Sequence, residues 1–100
     1  MIVPTPKDTP FFSVSLDLGG VYCTLKFSWN MRSGWYLALD ADGEVVFPPR
    51  RLLPSIPLLY WVTGTKPPGE LVFMAADGSD TPARFEDLGR THALVYIEPT

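Results

Sequence analysis

Residues 11–29 read FFSVSLDLGGVYCTLKFSW, and the alternation in this stretch decides the fold class. Phe12, Val14, Leu16 and Leu18 fall in one phase and Ser13, Ser15 and Asp17 in the other, the period of two that a half-buried strand requires. Gly19-Gly20 supplies the positive φ angles of a two-residue hairpin turn. Val21, Cys23, Leu25, Phe27 and Trp29 then restore the apolar phase, with Tyr22, Thr24, Lys26 and Ser28 on the polar face.

The pattern continues beyond this hairpin. After the turn formers Asn30 to Gly34, Trp35, Leu37 and Leu39 alternate with Tyr36, Ala38 and Asp40. Asp42-Gly43 predicts a second tight turn, from which Glu44 to Phe47 returns as a fourth strand. Strands this closely connected predict an antiparallel meander, because a parallel crossover takes a dozen residues or more.

Pro48-Pro49 removes two backbone donors and is expected to stop the ladder there. Leu52 to Val62 is apolar but interrupted by Pro54 and Pro57, which argues against a regular helix and leaves Leu58 to Val62 as a short strand. A second irregular loop covers Thr63 to Gly69. Glu70 to Ala76 is apolar in both phases, the mark of a strand covered on both sides, and Thr91 to Ile97 forms the last strand. The expectation is an all-β domain, a small antiparallel β-sandwich or partly open β-barrel of six to seven strands with Pro-rich irregular loops. It occupies residues 11–98, behind an extended N-terminal arm at residues 1–10.

Composition narrows the chemistry. One hundred residues suit a single domain with one modest core. The chain is 46% hydrophobic and 19% charged, which excludes disorder, and no apolar run reaches the ~18–20 residues of a membrane-spanning helix. Pro4, Pro6, Lys7, Asp8 and Pro10 break any signal-like apolar stretch at the start, so an intracellular product is expected. A net charge of −3 opposes phosphate-backbone binding, so nucleic acid is not expected as a partner.

The residues of catalysis are sparse. Cys23 stands alone inside a strand and reads as a packed thiol. His92 has neither a nucleophile nor further zinc-type ligands to work with, and reads as a surface or edge residue. Asp40, Asp42 and Glu44 fail the calcium-loop pattern, since Gly43 falls fourth instead of sixth. Glu86 and Asp87 belong to a turn. No enzyme, metal or cofactor is expected.

What remains is a contact surface. Trp29, Trp35, Tyr36, Tyr60 and Trp61, with Arg32, Arg50 and Arg51, are residue types enriched at binding hot spots, although most of the rings are expected to fill the core. The candidate interface residues are Pro4, Pro6, Tyr36, Arg50, Arg51, Tyr60, Trp61 and Pro67, with Tyr36 and Trp61 favoured because they fall outside the main core phase.

Taken in order, the Pro-rich start, Phe12 to Asp17, Tyr22 to Asn30, Gly34 to Leu37, Asp42-Gly43, Pro67 to Leu71, Phe85 to Gly89 and Leu94 to Tyr96 resemble the phage baseplate plug family over almost the whole chain. The resemblance implies a non-enzymatic structural component of a contractile-tailed phage baseplate, packing at the tail tube and hub junction. Its implied partners are other baseplate, hub and tail-tube proteins in a symmetric multi-copy assembly. Its implied location is the virion tail, after assembly in the host cytoplasm. The competing class is a free-standing small β-barrel that binds a peptide or sugar on exposed aromatics.

Overall fold

In a computed structural model, which describes residues 1–6 and 8–99, the chain forms two antiparallel sheets over one shared core. Position 7 of the N-terminal segment lies outside the description. The first sheet is the expected meander of β1 (Phe11–Leu18), β2 (Val21–Asn30), β3 (Gly34–Ala41) and β4 (Glu44–Arg51), side by side in that order. The second pairs β5 (Glu70–Ala75) with β6 (His92–Ile97). The sheets stay open and do not close into a barrel.

Local chemistry explains the first sheet. Gly19 and Gly20 adopt φ of 63° and 93°, and Asp42 and Gly43 adopt 50° and 82°, so both hairpins turn through two left-handed residues, the twist that flanking strands favour. The registers Leu18↔Val21 and Ala41↔Glu44 follow directly. Cys23, Leu25 and Phe27 of β2 and Trp35, Leu37, Leu39 and Ala41 of β3 are all buried, as their alternation requires.

The ladder does not stop at Pro48-Pro49. β4 continues to Arg51, pairing Leu37 with Arg50 and Leu39 with Phe47, so three steps on β4 oppose two on β3. The two prolines sit in this bulge on an edge strand, where a missing N–H breaks no ladder bond. Nor is Leu58 to Val62 a strand. Pro57 bridges to Val72 and the Leu58 N–H donates to the Leu71 carbonyl at 2.9 Å, after which the chain leaves the sheet and turns, with the Val62 N–H on the Leu59 carbonyl.

The start of the N-terminal segment lies along the second sheet. Ile2 bridges Val95 in antiparallel fashion, the Val3 N–H donates to Leu94 and the Tyr96 N–H donates to Met1. Val3 is 1% exposed and belongs to the core, whereas Pro4 and Pro6 face solvent. Both edges of the β5–β6 pair are thereby flanked, β6 by residues 1–3 and β5 by Ser55 to Leu58.

A single 3₁₀ turn, Phe85–Asp87, ties the sheets together. Phe85 stacks on Trp35 at 5.8 Å and meets Trp29 edge-on at 5.6 Å, while the Trp35 Nε1–H donates to the Arg84 carbonyl at 3.3 Å. Of the five rings singled out in the sequence only Trp29 and Trp35 are core material, beside Phe12 stacked on Phe27; Tyr36, Tyr60 and Trp61 lie outside the core, fewer rings inside than expected.

Candidate interaction surface

The polar groups of the domain are turned to internal use. His92 is 5% exposed, not a surface or edge residue: Nε2 donates to the Thr81 carbonyl at 2.7 Å, and Nδ1 shares a hydrogen bond with the Thr91 hydroxyl at 2.9 Å. Both ring nitrogens are thus engaged within the domain. The ring also stacks on Phe73 at 5.6 Å. Its burial follows from its place in β6, in phase with Leu94 and Tyr96. Cys23 is wholly buried, and that burial, with Asp42 and Asp17 adding to it, pushes the thiol up to about 11, far from a reactive thiolate at neutral pH. Among the described residues no three His, Cys, Asp or Glu side chains gather as a metal site.

The surface offers something different at the turn after Leu59. Leu58 and Leu59 point into the core, while Tyr60 and Trp61 are 67% and 76% exposed and pack edge to face at 4.8 Å. Sequence explains the split: a Pro57-ended bridge delivers two leucines to the core, and the chain then reverses, so the next two side chains are left outside. Long side chains hold this turn from beneath. Arg50 Nη1 donates to the Leu58 carbonyl at 3.0 Å, Lys66 Nζ donates to the Leu59 carbonyl at 3.1 Å, and the Glu70 carboxylate accepts the Leu59 N–H at 2.6 Å and the Leu71 N–H at 2.8 Å. The backbone under the aromatic pair is therefore bonded at both Leu58 and Leu59, so the rings stand on a preorganised base.

The other candidates distribute as follows. Tyr36 is half-buried on the outer side of the first sheet, and its cross-strand partner is the exposed Arg51. Pro4 and Pro6 are exposed. Arg50 spends its cation inside the subunit, on Leu58 and over the Phe47 ring at 5.3 Å. Pro67 is fully buried, so its part is structural and not that of an exposed contact. The residues that sequence reading missed are Lys66 and Glu70, whose partners are main-chain atoms of a turn that no local pattern announces.

A second exposed surface is apolar. On the outer face of β5 and β6, Ile2, Val95, Val72 and Pro57 form one continuous row in register, flanked by Met74 and Ala93 on one side and Ile97 on the other. Ile2 is 66% exposed. The expected strand covered on both sides holds only in part: on this face Val72 is 9% exposed but Met74 is 39%, so the apolar character was legible and its exposure was not.

Comparison with known proteins adds a further finding. A family model described as cyanophage baseplate Pam3 plug gp18 matches residues 1–99. No curated protein matches the chain.

Proposed function

The chain belongs to the cyanophage baseplate Pam3 plug gp18 family, and from that premise we propose that it packs at the junction of tail tube and hub through protein contacts anchored by Tyr60 and Trp61. Membership gives the protein a structural role in a phage baseplate, in company with other baseplate proteins and as a component of the virion tail. The finer placement rests on the exposed pair. Two large aromatics held open to solvent on a turn braced by Arg50, Lys66 and Glu70 lose little freedom on docking, the property that makes Tyr and Trp effective anchors. Half-buried Tyr36 with exposed Arg51, and exposed Pro4 with Pro6, supply further contacts toward neighbouring subunits of a symmetric multi-copy assembly put together in the host cytoplasm. The role is non-enzymatic, in keeping with a histidine whose two nitrogens are both engaged and a thiol held protonated.

The test is a phage carrying Tyr60→Ala and Trp61→Ala together. The isolated double variant should melt within a few degrees of wild type, because both side chains lie outside the core. Purified tails should lack the protein by immunoblot and show empty density at the tube and hub junction in cryo-electron microscopy. Normal occupancy of tails by the double variant would overturn the reading.

A further inference from the structure

The two sheets differ in how their edges end. β5 and β6 are flanked on both outer sides by loop and N-terminal backbone, and β4 carries Pro48 and Pro49 in a bulge, so three of the four outer edges are covered or interrupted. β1 is the exception. It pairs only with β2, no loop backbone among the described residues bonds to its other side, and its eight residues include no Pro, Lys or Arg. Those are the devices by which sheet edges are usually protected.

The hairpin tells which groups are open. A two-residue turn makes Leu18 and Val21 a pair that exchanges both hydrogen bonds, and bonded pairs then alternate along the ladder. Leu16, Val14 and Phe12 therefore direct their amides to β2, in line with the Trp29 N–H reaching the Pro10 carbonyl. Phe11, Ser13, Ser15 and Asp17 direct theirs outward. The side chains add a second indication. Phe12, Val14 and Leu16 pack against the core yet stay half-exposed at this rim, so the core is left unsealed along β1.

A strand able to seal it must be free of Pro on its bonding side and must alternate apolar with polar residues in the same phase. β1 itself has that pattern, and we propose that β1 of a second copy of this chain is the occupant, paired antiparallel about a two-fold axis through Val14. In that register Val14 faces Val14 of the second copy, Phe12 faces Leu16, Ser13 faces Ser15 and Phe11 faces Asp17. The outward N–H of Ser13 donates to the carbonyl of the facing Ser15 and that of Ser15 to the carbonyl of Ser13, the apolar residues of both copies stay on one face, and Asp17 avoids its own counterpart. The contact is isologous, as a closed two-fold pair demands, and joins two four-stranded sheets into one continuous sheet. The open edge is a property of the first sheet and is independent of the Tyr60–Trp61 surface.

Sedimentation velocity of the full chain over a concentration series tests this, with two variants. Ser15→Pro deletes an outward N–H and no internal backbone bond, losing only the exposed hydroxyl contact of Ser15 with Thr24 at 3.2 Å, so the variant should keep the near-ultraviolet circular dichroism of wild type and lose the dimer that wild type forms. Val14→Cys should give a covalent dimer on mild oxidation, because facing residues of a non-bonded antiparallel pair lie about 4.5 Å apart, within reach of a disulfide. Wild type treated alike is the control, its Cys23 being buried. A wild type that stays monomeric throughout, a dimer indifferent to Ser15→Pro, or a Val14→Cys chain that fails to cross-link would overturn the proposal. A dimer that survives Ser15→Pro would direct attention to the apolar row through Ile2 and Val95. If Ser15→Pro unfolds the chain, the cross-link decides.

Discussion

The carboxylate of Glu70 accepts the backbone N–H of Leu59 at 2.6 Å, across eleven positions of sequence, and this bond seats the turn that carries Tyr60 and Trp61. Glu70 opens β5 and also accepts the N–H of Leu71, so one side chain joins a strand start to a surface turn. Replacing it leaves two buried amides without an acceptor.

Glu70→Ala should therefore cost about 1–3 kcal/mol, the penalty for unsatisfied buried donors. Urea denaturation monitored by tryptophan fluorescence measures it. The fluorescence anisotropy of Trp61 in the folded state, isolated with the other two tryptophans replaced by Phe, should fall as the turn loosens. A variant as stable as wild type would show that water replaces the carboxylate without loss.

Gly19 and Gly20 share one turn yet should respond differently to alanine. Both have positive φ, so each substitution incurs about 1–2 kcal/mol of backbone strain. At Gly19 the added methyl also meets Pro68 Cγ at 2.5 Å and the Tyr96 hydroxyl at 2.7 Å, whereas at Gly20 it meets nothing. Gly19→Ala should be the more destabilising by about 1–3 kcal/mol, the usual range for overpacking. Equal melting temperatures for the two variants would contradict the contact between this hairpin and the second sheet.

Val3 tests whether the N-terminal segment belongs to the fold. It is 1% exposed and bonded to Leu94, so Val3→Ala should lower stability by about 1–3 kcal/mol through lost burial and an unfilled cavity. Pro4→Ala, at an exposed neighbour, should change it by less than about 0.5 kcal/mol. Guanidinium titrations of the two variants side by side give the comparison.

Alkaline pH should find Cys23. The folded thiol is raised from its ordinary 9.0 to about 11, chiefly by burial, so the unfolded chain ionises first. The stabilisation is complete below pH 9 and is lost as pH rises toward 11, a fall of about 2–3 kcal/mol. Cys23→Ala should lose less stability over the same range, keeping only the part contributed by Tyr96, which burial also raises. Parallel slopes for the two proteins between pH 9 and 11 would refute this role.

The positions of success and failure in the sequence reading have a common cause. Phe11 to Ala41 was legible because a strand's period and a hairpin's turn residues are neighbours in sequence, so the pattern contains both the element and its partner. Pro48-Pro49 misled because the prohibition on proline depends on whether a strand is central or at an edge, and β4 is an edge. His92 misled because its phase with Leu94 and Tyr96 was passed over for its polar ring, whose partners Thr81 and Phe73 reach it only after β5 and β6 have paired. Of the candidate contacts, Tyr60 and Trp61 lie exposed, while Pro67 and the cation of Arg50 are taken up within the subunit. A proline or an arginine in a loop looks the same in either case.

By itself, the sequence determined an all-β chain, a four-stranded meander and the two glycine-bearing hairpin turns, all consequences of side-chain period and turn chemistry within a few residues. Tertiary structure alone decided which sheet edges are covered, which nitrogens of His92 are engaged, and that Leu58 and Leu59 go inward while Tyr60 and Trp61 go out. Those outcomes depend on hydrogen bonds that Arg50 and Lys66 donate to main-chain carbonyls, that Glu70 accepts from main-chain amides, that His92 makes with Thr81 and Thr91, and that the N-terminal backbone shares with β6. A backbone carbonyl or amide has no sequence signature, so only the folded chain shows which ones are already paired and which, as along β1, remain open.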